Sequence, residues 1–172
     1  MRIQLTNNIY LDEMVDPFTY FNEVDNGRSK IDMNLVNCIQ LMRDKLGHAL
    51  SINNWWGYYV SNKDQKGIEQ IISEIESSKM SKWSGYRSPR CKIGAKASSH
   101  RLGKGGDPKG DEMVMYNIVI EFVKEFYDLG LRRIEDTTIT SGWLHMDTLE
   151  KNCLPNHINV VGLKTIIRRI KI

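Results

Sequence analysis

Residues 98–107 of the 172-residue chain read Ser98-Ser99-His100-Arg101-Leu102-Gly103-Lys104-Gly105-Gly106-Asp107, and residues 143–147 read Trp143-Leu144-His145-Met146-Asp147. In the first stretch Gly103, Gly105 and Gly106 separate a histidine from an aspartate. Glycine lets the backbone turn tightly, so His100 and Asp107 can converge on one point. In the second, His145 and Asp147 are two apart on a predicted strand, which puts both on one face. Imidazole and carboxylate suit zinc, and three protein ligands plus a water are the pattern of a catalytic site. Spacing alone also allows blander roles: Asp107 can cap the next helix or bind Lys109.

The first stretch resembles the SxHxxGxAxD motif of the M15 peptidases, the group of zinc D-Ala-D-Ala carboxypeptidases and phage peptidoglycan endopeptidases. Residues 143–147 resemble that group's later hydrophobic-x-His-x-Asp motif. Ser84-Gly85-Tyr86-Arg87-Ser88-Pro89 resembles the SGYRSP segment before its first metal histidine. The three occur in the family's order, and the resemblance spans roughly residues 8–150.

The resemblance implies an α+β domain of the hedgehog/DD-peptidase type, a small antiparallel sheet with flanking helices. It implies a zinc ion held by His100, Asp107 and His145. Arg87 matches the arginine that holds substrate and stabilises the developing oxyanion, a task for a fixed, always-charged fork. Ser98 is expected to orient the loop or a ligand by hydrogen bond. Asp147 is expected behind the ligands, aligning His145 or bracing Arg87. The implied reaction is hydrolysis of a peptide bond in bacterial peptidoglycan stem peptides or cross-links. Peptidoglycan is then the partner, joined by phage particle proteins if the chain is carried on a virion. The opening MRIQLTNNIYLDEM does not read as a secretion signal. The expectation is therefore synthesis in the cytoplasm, with access to the wall by lysis or virion delivery.

The chain departs from the pattern in four places. Gly105 replaces alanine, a small change expected to be tolerated. Pro108 replaces an apolar residue after Asp107, so the next strand starts late or is missing. An insertion at about residues 58–82 carries apolar positions from Ile68 to Ile75. It is expected to cover the groove, bind a glycan or contact another subunit. Gly142 stands three before His145, where the family places its acidic general base. The carboxylates available upstream are Glu135 and Asp136, at the end of a strand predicted to pair with that of His145. Glu135 is the choice, and Asp136 the alternative. The missing acid at 142 also favours a second reading, a non-catalytic phage structural or assembly protein. A third is a zinc amidase acting on the sugar–peptide bond.

Outward from these motifs the chain reads as one domain, residues 1–172. Asp32 caps a helix through Leu46, with Leu35, Ile39 and Met42 inward and Gly47 as stop. Further helices are predicted over 63–78 and 111–127, short strands at 3–5 and 49–52, and a hairpin of 131–135 with 143–146. Val160-Val161 and Ile166–Ile172 close the sheet. Asn53–Tyr59 is dense in aromatics and reads either as a groove lining or as a packed transition. With 41% hydrophobic and 26% charged residues the chain can form a core, and no apolar run is long enough for a membrane span. The net charge of +3 owes much to Lys164, Arg168, Arg169 and Lys171, so nucleic acid is not an expected partner. Lys92, Lys96, Lys104 and Lys109 concentrate positive charge near the motifs, where they would attract stem-peptide carboxylates. Cys38, Cys91 and Cys153 include no CxxC and read as small buried residues. His48 reads as a helix-end histidine, and His157 as part of a turn.

Overall fold

A computed structural model describes residues 2–93, 98–162 and 165–172. Lys96 and Lys164 lie outside the described residues. The fold is α+β, with helices flanking one small, open sheet.

The central helix is α3 (Met33–Leu46), after the short α1 (Leu11–Met14) and α2 (Pro17–Asn22). The Asp32 side chain accepts a hydrogen bond from the Asn34 N–H, and Gly47 ends α3 at φ 71°. Both signals were legible from residue type: an acidic cap takes an orphan N–H, and only glycine adopts this backbone without strain. Leu35, Val36, Cys38, Ile39 and Met42 are buried along one face. Arg43 is buried beside them, bonding the Glu13 carboxylate of α1 and the Leu50 carbonyl. It ties α1, α3 and the segment around residue 50 together, and breaking such a buried pair on one side is costly.

The aromatic segment resolves as packing. Trp56–Asn62 forms α4, and the rings of Tyr20, Phe21, Trp55, Trp56 and Tyr59 pack edge-to-face or tilted, with centroids 4.8–5.8 Å apart. Trp55 is fully buried and its indole N–H donates to the Val15 carbonyl at 3.0 Å. α5 (Ile68–Ser77) buries Ile71, Ile72 and Ile75. Lys82 then donates to the carbonyls of Ile75 (2.7 Å) and Ser78 (2.6 Å), a cation at the negative helix end.

The predicted helix over 111–127 is two helices, α6 (Glu112–Glu121) and α7 (Val123–Asp128), because Phe122 leaves helical geometry at φ −108°, ψ 31°. Asp111 caps α6 by accepting from the N–H groups of Met113 and Val114. The expected strands at 3–5 and 49–52 reduce to single bridges, Gln4 with Tyr10 and Ser51 with Lys109.

The sheet holds β1 (Gly105–Gly106), β2 (Arg133–Glu135), β3 (Met146–Asp147), β4 (His157–Val161) and β5 (Ile166–Lys171), in the order β1-β3-β2-β4-β5. It is mixed, which corrects the antiparallel expectation: β2 and β4 run parallel. β2 and β3 pair as the predicted antiparallel hairpin. The chain then crosses to the far side of β2, and that crossover sets β4 parallel to it.

Strand alternation sorts the residues. Ile134, Met146, Ile158 and Val160 are buried in the core with Leu35, Ile39 and Phe126. Arg133 and Glu135 alternate with Ile134, so they take the opposite face, together with Arg133's register partner Asp147. No helix among the described residues is long and apolar enough to cross a membrane. The three cysteines are free, and burial pushes the Cys38 thiol up to about 12, which makes it inert.

Candidate metal centre

His100 sits in a 3-10 turn, Ser99–Leu102, ended by Gly103 at φ 68°. The Gly103 carbonyl accepts the Asp32 N–H at 3.0 Å, docking the loop on the start of α3. The segment Ser84–Arg87 holds the loop from the other side. Ser84 O accepts the Asp107 N–H (2.7 Å), the Arg87 N–H donates to His100 O (3.1 Å), and His100 Nδ1 lies 2.8 Å from Gly85 O. A carbonyl only accepts, so His100 carries its proton on Nδ1 and turns the Nε2 lone pair inward.

Three atoms meet there. Asp107 Oδ1 is 2.7 Å from His145 Nδ1 and 3.2 Å from His100 Nε2, and the two ring nitrogens are 3.2 Å apart. Tetrahedral zinc with bonds of about 2.0–2.1 Å separates its ligand atoms by roughly 3.3 Å. The triangle is therefore near the size that a metal ion needs. Both histidines are buried and Asp107 is half-buried. The donor set, two imidazoles and one carboxylate, fits zinc and leaves room for a fourth ligand.

The charges are strongly coupled. Burial pushes the Asp107 carboxyl up, but hydrogen bonds and attraction from His100 and His145 outweigh it and hold it well below the usual range. Burial lowers the His145 pKa, but Asp107 and Asp147 outweigh it and raise it to about 10. Burial likewise raises Asp147, whereas His145 and Arg133 pull it below the ordinary value. Without a metal the cluster thus holds a proton on His145, which a cation must displace.

Around the triangle the expected residues fall as follows. Arg87 lines the cavity, donates from Nη2 to Asp107 Oδ2 at 3.1 Å, and is anchored through Nε on the Trp83 carbonyl at 2.6 Å. Asp147 is fully buried with Oδ2 3.1 Å from His145 Nε2. It braces Arg133 rather than Arg87. Ser98 lines the cavity, and its carbonyl accepts the Arg101 N–H at 3.0 Å. Its neighbour Ser99 reaches the cluster, with Oγ 3.3 Å from His145 Nε2.

Glu135 lines the cavity, and its backbone N–H donates to His145 O at 3.1 Å. Asp136 faces elsewhere: its Oδ1 accepts from the N–H (3.0 Å) and hydroxyl (2.5 Å) of Thr138, and it does not line the cavity. Gly142 donates its N–H to Glu112 Oε2 at 2.8 Å, and Glu112 also lies outside the cavity wall. The cavity measures about 880 Å³ and continues past Trp143 to Lys151, Asn152 and Ile166. Among the described residues its cationic lining is Arg87, Arg133 and Lys151, not Lys92, Lys104 or Lys109. No residue of 58–82 lines it, so the expected groove cover is not there among the described residues. His48 and His157 bond the nearby carbonyls of Ala49 and Pro155, away from the cluster.

Sequence reasoning missed Arg133 and Ser99. The signal for Arg133 was its alternation: two before Glu135 on a strand pairing with that of His145, it must share the face. The structure also leaves no room for an alanine at position 105. A Cβ there would lie 2.4 Å from Ser99 Oγ and 3.0 Å from the His100 backbone nitrogen. Gly105→Ala is expected to drive Ser99 off His145 and to cost about 1–3 kcal/mol, read by thermal melting. An unchanged melting temperature would show that the turn relaxes freely.

No protein-family model, curated protein or solved structure matched the chain in comparisons. The chain is a small α+β domain whose His100–Asp107–His145 cluster can coordinate a metal, consistent with a generic zinc-metallopeptidase-type site.

Proposed function

We propose that the protein is a zinc-dependent hydrolase that cleaves peptide bonds in bacterial peptidoglycan, in stem peptides or cross-links. One observation carries the metal-hydrolase reading: His100 Nε2, Asp107 Oδ1 and His145 Nδ1 converge in a cavity that Glu135 also lines. The peptidoglycan substrate and the M15 likeness rest on the three sequence motifs.

Zinc held by His100, Asp107 and His145 would act as a Lewis acid, lowering the pKa of water and polarising a scissile carbonyl. Glu135 accepts the proton of the attacking water and returns it to the leaving amine, one carboxylate serving both steps. Arg87, fixed by Trp83 and Asp107, directs its guanidinium charge toward the developing oxyanion. Asp147 holds the His145 ring by its Nε2 edge.

Purified protein is expected to hold about one zinc per chain by elemental analysis. The zinc-loaded protein is expected to release peptide fragments from peptidoglycan, identified by mass spectrometry of the new termini. A folded protein that takes up no zinc would sink the metal reading. Zinc uptake with cleavage at the sugar–peptide bond would make it an amidase. Gly142, in place of an acid, favours the non-catalytic assembly reading, which zinc uptake without cleavage of any wall bond would select.

A further inference from the structure

Arg133 carries no role in the function proposed above, yet it is tied to the metal centre through Asp147. It begins β2 and is the register partner of Asp147 on β3. Its Nε lies 2.9 Å from Asp147 Oδ1 and 3.0 Å from Oδ2, and its Nη2 lies 2.6 Å from Oδ2. The Leu149 N–H also donates to Oδ1, at 3.1 Å. Asp147 Oδ2, shared with Arg133, is the oxygen 3.1 Å from His145 Nε2. The carboxylate is fully buried, whereas the Arg133 side chain keeps 21% of its surface exposed, toward the cavity.

We propose that Arg133 is a positioning residue: its fork fixes the rotation of the Asp147 carboxylate, so that Oδ2 receives His145 Nε2–H and Nδ1 is turned to the metal. The proposal rests on reading the cluster as a metal centre. A carboxylate on a single Cβ can rotate about its bond to Cγ. Two guanidinium nitrogens on one edge and the Leu149 N–H on the other remove that freedom. A planar fork holds both oxygens at once, whereas an ammonium is a point charge that holds one. The ring is held in turn, because a histidine nitrogen that donates to a carboxylate leaves the opposite nitrogen as the lone-pair ligand. Arg133 thus acts two hydrogen bonds away from the ligand His145, through Asp147 and not by contact with the metal.

The test is zinc affinity, measured by competition with a chromophoric chelator on the full chain, with melting curves alongside. Arg133→Met is expected to weaken zinc on the order of 10-fold, within the range for partners behind a ligand. Arg133→Lys keeps the charge and so tests the fork alone. It is expected to weaken zinc several-fold with little change in melting, and it serves where the methionine variant fails to fold. In an Asp147→Asn background, either change at 133 is expected to have little further effect, because the two act in series.

Three results would overturn the proposal. Wild-type affinity in the lysine variant would show that the fork does not matter. An equal loss in both backgrounds would show that Arg133 does not act through Asp147. Unchanged affinity with a raised KM would make Arg133 a substrate contact. Failure of the wild-type chain to bind zinc would instead remove the metal-centre reading, and this inference with it.

Discussion

Glu135→Gln is expected to lower hydrolysis by on the order of 10²–10⁴-fold, the range for a lost acid–base group, while zinc content and melting stay near those of the wild type. The substitution keeps size and hydrogen-bonding capacity and removes only the base. The reason to choose Glu135 is positional. Its N–H bonds to His145 O, so it sits directly across the strand pair from a ligand, on the cavity face of β2. The competing acids are engaged elsewhere. Asp136 closes a turn onto Thr138, and Glu112 holds the Gly142 N–H. Asp136→Asn is therefore the matched control and is expected to cost much less. Activity that survives at 135 and vanishes at 136 would move the role by one residue. Activity surviving in both variants would mean that another group supplies the base, and not one from residues 58–82, none of which lines the cavity.

The parts of this structure legible in the sequence are those that local chemistry decides. Asp32 and Gly47 bound α3 because capping and left-handed backbone are properties of single residues. The pairing of 131–135 with 143–146 was legible from apolar runs separated by a polar turn, and it placed Glu135 beside His145. Spacing alone left His100, Asp107 and His145 open to blander roles, and the cluster was legible only through the resemblance of the three motifs to those of a metal-binding family. What was lost depends on partners far along the chain. α4 has no apolar period of its own; it forms where Trp55, Trp56 and Tyr59 pack against Tyr20 and Phe21. The parallel pairing of β2 with β4 is set by a crossover that no local pattern encodes. Arg133 in a strand reads as a solvated cation until the register with Asp147 is known. The need for glycine at 105 shows only once Ser99 is seen to fill the space that a Cβ would take.

Zinc is expected to stabilise the domain against unfolding, and by more at pH 8.5 than at pH 7. At a free concentration about 1,000 times its Kd, the ion adds roughly 4 kcal/mol. The pH dependence follows from His145. In the metal-free protein its pKa is raised to about 10, burial being outweighed by Asp107 and Asp147. In the unfolded chain an imidazole titrates near 6.5. A raised pKa means that this proton's contribution is fully present below about pH 6.5 and is lost as pH rises toward 10. Metal-free stability from this group therefore falls by at most about 1.4 kcal/mol per pH unit across that window. In the zinc-loaded protein His145 is neutral as a ligand, and above about pH 6.5 it is neutral in the unfolded chain too, so the window is flat. The gap between loaded and metal-free forms must then widen with pH, by up to about 2 kcal/mol from pH 7 to 8.5. For a chain of this size that is a difference of several degrees in melting temperature. Paired melts with a zinc buffer at fixed free ion and with a chelator, at both pH values, measure it. A zinc-induced shift that shrinks as pH rises would mean that no proton leaves His145, and hence that Nδ1 is not a ligand.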